Sequence, residues 1–224
     1  MKIVISHGSG GIGSAELICK EFLEANGLDV ELNDYFSKNN IKMVYWSDKE
    51  HQNKEDVTFK QLCDLDVNEE TIHIGFSLGG FVGLVNNKKF VKNFLFYPGL
   101  IGYTQEMLEC DYSNTTVYFG SEDPGKEKFY NFMSMCDKPP SLNIMVSGAH
   151  HAFMTKNMDR TIDMVRYNNL SRTLSNEEFS ELKINHEFMS KKYGYHTKKR
   201  ILTSHDIHRN HLLNLLLADI KNTL

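Results

Sequence analysis

The chain has 224 residues, of which 41% are apolar and 24% charged, with a formal net charge of −4. Those values describe a soluble globular chain of about one domain, with room for a second small element. No apolar run approaches the ~20 residues of a membrane-spanning helix, which excludes that class.

Met1-Lys2-Ile3-Val4-Ile5-Ser6 reads as a strand that runs straight into a Gly-rich turn, not as a secretory signal. A helix is predicted over about 14–26, with Ala15, Leu17, Ile18, Phe22 and Leu23 on its apolar face and Gly27 as its stop. A strand near 28–33 follows, then a polar loop around Lys38-Asn39-Asn40 and a helix over about 54–68. Cys19, Cys63, Cys110 and Cys136 are widely spaced with no CxxC pair, the pattern of free thiols in a reducing cytoplasm.

The turn after the first strand is Gly8-Ser9-Gly10-Gly11-Ile12-Gly13, which spells GxGxxG, and Asp34 ends the next strand 21 residues later. That is the fingerprint of an NAD(P)-binding Rossmann-type oxidoreductase, with the acid placed for a ribose hydroxyl. A second reading competes with it. His7-Gly8-Ser9 also matches a loop whose backbone N–H stabilises an oxyanion.

The apolar run Thr71-Ile72-His73-Ile74 breaks into Gly75-Phe76-Ser77-Leu78-Gly79-Gly80 and continues as a helix to about 88. A serine on such a strand–turn–helix junction stands clear of the sheet at a helix N-terminus, where it can act as a nucleophile. Lys92-Asn93-Phe94-Leu95-Phe96-Tyr97 is the next strand, closed by Pro98-Gly99. A strand at 115–120 ends in Gly120-Ser121-Glu122-Asp123-Pro124, and a helix is predicted near 125–136. The strand at 142–147 ends in Gly148-Ala149-His150-His151-Ala152-Phe153. Ser77, Asp123 and a histidine thus come in the order of an α/β-hydrolase triad, at intervals of 46 and 28 residues that leave room for the intervening elements. Glu122 and Asp111 are weaker substitutes for the acid, and His150 is the alternative base.

From 155 onward three helices are predicted: about 156–169, from the capping box at Ser175 to Gly194, and from near Ser204. The last is apolar nearly all round, so it covers the sheet or forms a homodimer interface. His205, His208 and His211 recur at every third position and read as surface, because metal ligands on one helix face prefer a spacing of four. Residues 1–154 carry a net −8 and residues 155–224 a net +4. The basic run Lys198-Lys199-Arg200 reads as a solvated face rather than a nucleic-acid site.

Taken together, the quoted motifs resemble the dienelactone hydrolase family over about residues 1–155, with Asn33-Asp34-Tyr35-Phe36 as the turn after the second strand. The resemblance implies an α/β-hydrolase fold: a core of residues 1–154, a mostly parallel sheet flanked by helices, and a helical extension of residues 155–224. It implies a serine hydrolase of small-molecule carboxylic esters, lactones or thioesters, with no cofactor and no metal. Ser77 stands where the founding members carry cysteine. His151, before Ala152-Phe153, takes the place of the base and Asp123 that of the acid, while the N–H groups of Leu78 and Ser9 form the oxyanion hole. Tyr35, Phe36, Trp46, Tyr97 and Tyr103 are candidates for lining an apolar pocket. The expected partner is the ester-type substrate, with neither nucleic acid nor membrane.

Overall fold

The computed structural model describes residues 1–41, 57–67, 70–168, 170 and 172–224. The first half alternates strands β1 (Lys2–Ser6), β2 (Val30–Asn33), β3 (Thr71–Phe76) and β4 (Phe90–Phe96) with helices. The helices are α1 (Ser14–Ala25), α2 (Tyr35–Lys38), α3 (Phe59–Leu62) and α4 (Leu78–Val85). Then come β5 (Tyr103–Thr104), α5 (Gln105–Leu108), β6 (Thr115–Gly120), α6 (Gly125–Met135) and β7 (Leu142–Val146). Of the helix expected over 54–68, only 57–67 falls among the described residues, and there it is the single capped turn α3. Trp46 lies outside the described residues.

β3 and β6 are buried at every position. Strands covered on both faces belong in the middle of a parallel sheet, where helices lie on either side. Six strands pair in the order β2-β1-β3-β4-β6-β7, and every neighbouring pair is parallel. Counted along the chain, these are sheet strands 2-1-3-4-5-6. A dinucleotide-binding Rossmann sheet is ordered 3-2-1-4-5-6. With a sharp strand–turn–helix junction after β3, the described order is the α/β-hydrolase arrangement, beginning at the strand before the Gly-rich loop. The order reverses between β1 and β3, so their C-terminal ends open a crevice where a ligand fits. The loop 7–13 and the turn at Ser77 lie on its two sides.

The C-terminal segment differs from the three helices expected of it. Residues 159–167 form a strand, β8 (Asp159–Tyr167), paired antiparallel along its whole length with β10 (Tyr195–Thr203). Between them lie β9 (Thr173–Leu174), which pairs with β5, and the separate short helices α7 (Asn176–Ser180) and α8 (His186–Tyr193). No glycine or proline interrupts residues 156–169, which is why the local sequence favours a helix there. Their partner strand lies some thirty residues further on, and that long-range pairing outweighs local preference. Only the last helix has its expected place, as α9 (Asp206–Thr223).

α9 buries Leu212, Leu213, Leu216 and Ile220 in the same hydrophobic core as the sheet. Leu170, Leu174, Phe179, Leu182, Ile184 and Met189 join that core too. Among the described residues, no helix is long and apolar enough to cross a membrane.

Candidate active site

Ser77 has φ +50° and ψ −106°, a backbone conformation that costs a side-chain-bearing residue of order 1–3 kcal/mol. The turn can hold it because its neighbours lack side chains. A Cβ on Gly75 would lie 2.4 Å from the Gly79 carbonyl oxygen, and one on Gly79 would lie 2.1 Å from the Ser6 carbonyl oxygen. The Ser77 N–H donates to Phe96 O at 3.0 Å, and its carbonyl accepts from Gly99 N–H at 2.7 Å. With the backbone fixed on both sides, the hydroxyl is left as the free end.

That hydroxyl meets His151: Oγ lies 3.0 Å from Nε2. The other ring nitrogen, Nδ1, lies 2.6 Å from Asp123 Oδ2. His151 is 6% exposed and Asp123 fully buried, and the edge of Tyr97 packs on the imidazole at 4.8 Å between ring centroids. Of the sequence alternatives, Glu122 is an exposed partner of the Ser121 hydroxyl, and Asp111 pairs with Lys138 at 2.9 Å. His150 makes none of these contacts.

The second oxygen of Asp123, Oδ1, accepts from Gly125 N–H and from Arg200 Nη2, both at 2.8 Å. Arg200 is 7% exposed and comes from β10, so the basic run read as solvated surface supplies a buried guanidinium to the site. Burial alone would raise the Asp123 carboxyl. The charges and hydrogen bonds of His151 and Arg200 outweigh that and hold it well below the carboxylate range. The His151 imidazole is pushed down by burial and then by Arg200, against the opposing pull of Asp123. A neutral, hydrogen-bonded imidazole between a hydroxyl and a carboxylate is equipped to accept a proton.

Both parts of the dinucleotide fingerprint have other occupants. The buried Glu16 carboxylate accepts from Gly8 N–H at 3.1 Å and Gly13 N–H at 2.9 Å. An anionic side chain thus sits at the helix N-terminus where a pyrophosphate would need to be. Asp34 caps α2 through Ser37 N–H at 3.0 Å and lies 3.6 Å from His7 Nε2. His7 in turn stacks on Tyr35 at 4.1 Å and meets the edge of Phe36 at 4.5 Å. Those two aromatics therefore hold the loop from beneath, and Tyr103 packs against Phe132 in the core. Of the aromatic candidates among the described residues, Tyr97 alone lines the smaller cavity at Ser77.

The Gly8 loop lies directly against the serine, with 3.4 Å from a Cβ built on Gly8 to Ser77 Cβ. Ser9 and Leu78 share a cavity wall with Ser77. As the first residue of α4, Leu78 has an N–H with no intrahelical acceptor.

Two cavities meet at Ser77. The smaller, of about 210 Å³, is largely apolar, walled by Phe76, Tyr97, Met158, Ile162 and Leu202. The larger, of about 740 Å³, runs the other way, beneath Arg166, His196, Lys198 and Arg200. The β8–β10 ribbon roofs both, and it is stitched to the base: Thr203 N–H donates to the His151 carbonyl at 3.3 Å. The ribbon and Arg200 escaped the sequence reading. The signal that could have found them is the two-residue alternation in Arg160, Ile162, Met164 and Arg166.

No protein-family model matches the sequence, and no curated protein matches it either. The solved structures it resembles include α/β-hydrolases and dienelactone hydrolase-like proteins. Est1E from Butyrivibrio proteoclasticus, with ferulic acid bound, is 14% identical over 70% of this chain and 82% of its own, at a TM-score of 0.46. Alpha/beta hydrolase domain-containing protein 10 from mouse is 13% identical over 69% and 83%, at 0.47. A dienelactone hydrolase-like promiscuous phosphotriesterase from metagenomic libraries is 13% identical over 68% and 72%, at 0.43. Likeness this distant does not extend to a reaction or its residues; the strand order and the turn at Ser77 identify the fold.

Proposed function

We propose that this chain is a serine hydrolase that cleaves a carboxylic ester, lactone or thioester of a small molecule through an acyl-enzyme. The observation that carries the reading is the continuous row of Ser77 Oγ, His151 and Asp123, at 3.0 and 2.6 Å, on a strained turn at the sheet's switch point. His151 removes the Ser77 proton as Oγ attacks the acyl carbonyl, and then delivers it to the leaving group. Asp123 fixes the tautomer and stabilises the imidazolium. The N–H groups of Leu78 and Ser9 receive the developing oxyanion, where one donor is typically worth ~10²–10³ in kcat. Water then reverses the sequence and frees the acid.

A Rossmann oxidoreductase fits less well, because Glu16 occupies the Gly-rich loop, Asp34 caps α2 and the strand order differs. Four unpaired, buried cysteines support a reducing compartment such as the cytoplasm. The test is a fluorophosphonate probe on the whole chain, with Ser77→Ala as control. Labelling that Ser77→Ala abolishes supports the reading; labelling that survives the substitution, or never occurs, overturns it.

A further inference from the structure

The register of the ribbon sorts its charges by face. Arg166 stands opposite His196, Met164 opposite Lys198, and Ile162 opposite Arg200. Directly opposed residues share a face, so all of these look into the site. The acids of β8, Asp159 and Asp163, alternate onto the other face. Among the described residues no Asp or Glu lines the larger cavity, and Lys128 of α6 is part of its lining.

Within this cavity the positive charge is not balanced. Arg200 is paired with Asp123. Arg166 is half-buried and, among the described residues, has no carboxylate at salt-bridge distance; the charge of Asp123 reaches it but is already shared with His151 and Arg200. Lys128 is half-buried too, and its ammonium group is held on the Leu100 carbonyl, a neutral acceptor. Burial, helped by Arg166 and Arg200, brings Lys128 down to about 7. Arg166 without an ion-pair partner and a Lys128 that holds its proton weakly leave positive charge under-compensated here, and an anion supplied from outside offsets it.

We propose that Arg166 and Lys128, with Lys198 at the cavity mouth, form a subsite for a phosphate monoester carried by the substrate that Ser77 attacks. The inference rests on the reading of Ser77 as nucleophile and names the class of its substrate: a phosphorylated ester or thioester. Better than a carboxylate, a dianion matches Arg166 together with a Lys128 that takes up a proton on binding. Arg166 offers the planar fork that binds two phosphate oxygens, and Lys128 a point charge. The phosphate is held and not attacked; the acyl group lies toward Ser77 and the apolar cavity.

The test is calorimetric titration of Ser77→Ala, which cannot form an acyl-enzyme, with phenyl phosphate, inorganic phosphate and benzoate at low ionic strength. Phenyl phosphate should bind saturably and more tightly than either of the others, and Arg166→Gln should weaken it by about tenfold or more. At pH 7.5 binding should draw a proton onto Lys128, read as a dependence of the heat on the buffer's ionisation enthalpy, and Lys128→Met should remove it. That uptake is measured without any change to the ribbon, so it stands even if the Arg166 variant fails to fold. Absent binding, benzoate as tight as phenyl phosphate, or no proton uptake overturns the dianion subsite. Inorganic phosphate binding as tightly as phenyl phosphate makes it a free-phosphate site and overturns the substrate assignment. Fluorophosphonate labelling of the unsubstituted chain is read separately, so loss of the nucleophile and loss of the subsite give different results.

Discussion

Arg200 Nη2 lies 2.8 Å from Asp123 Oδ1, joining the C-terminal ribbon to the carboxylate that holds His151. A permanent cation on the far oxygen keeps Asp123 ionised and presses the imidazole toward its neutral form. The acid limb of the pH–activity profile should therefore fall below the ordinary histidine value. Arg200→Gln should move that limb to higher pH, because the larger of the two arginine charges lowering His151 is gone. The pH dependence of kcat/KM for an activated ester, measured in both proteins, checks the direction.

Asp123→Asn should lower kcat by about 10⁴, as loss of the tautomer-fixing acid does in serine triads. Here it also leaves Arg200 buried without a counter-charge, and breaking a buried pair typically costs ~3–5 kcal/mol. Urea unfolding beside the kinetics separates the two effects. A variant as stable as the parent would show that the Arg200–Asp123 pair is dispensable for folding.

Gly79→Ala should destabilise the chain by more than the ~1–3 kcal/mol of ordinary overpacking. The new Cβ would lie 2.1 Å from the Ser6 carbonyl oxygen, in the backbone of the neighbouring strand. No side-chain rotation relieves that contact, so β1 or α4 has to move. Chemical denaturation of the variant measures the cost, and slowed fluorophosphonate labelling would report the displaced turn.

Acid should weaken the fold through His73. This ring is fully buried between Asn93 Oδ1 at 2.8 Å and Ser6 Oγ at 2.9 Å, and burial lowers it from 6.5 to about 4. Between those pH values the unfolded chain binds a proton that the folded chain refuses. Stability is thus complete above pH 6.5 and declines as pH falls toward 4, by roughly 3 kcal/mol in all. Urea midpoints at pH 7 and pH 4.5 should differ accordingly, and His73→Gln should lose part of that difference.

The parts legible in the sequence are those written locally. The turn at Ser77 announces itself because close backbone packing requires glycine at Gly75 and Gly79. The strands ahead of Asp123 and His151 are short apolar runs ending in turns, and their order along the chain follows from the parallel sheet. The family resemblance points to His151 rather than His150, and His151 lies within hydrogen-bond reach of both Ser77 and Asp123. The ribbon was not legible, because Asp159–Tyr167 becomes a strand only through a partner at Tyr195–Thr203. The role of Arg200 depends on that pairing and was hidden with it. The glycines at 8–13 read two ways for a related reason, since only the folded chain brings Glu16 back onto Gly8 and Gly13.

The ribbon also sets when the site comes into being. As the chain is synthesised, Ser77, Asp123 and His151 have all emerged while β10 is still to be made. Until residues 195–203 arrive and close on β8, Asp123 lacks its guanidinium and both cavities lack a roof. The ribbon pairs Tyr167 with Tyr195 and Asp159 with Thr203, so it cannot close before the later strand exists. The chamber around hydroxyl, imidazole and carboxylate is thus complete only once β10 is in place.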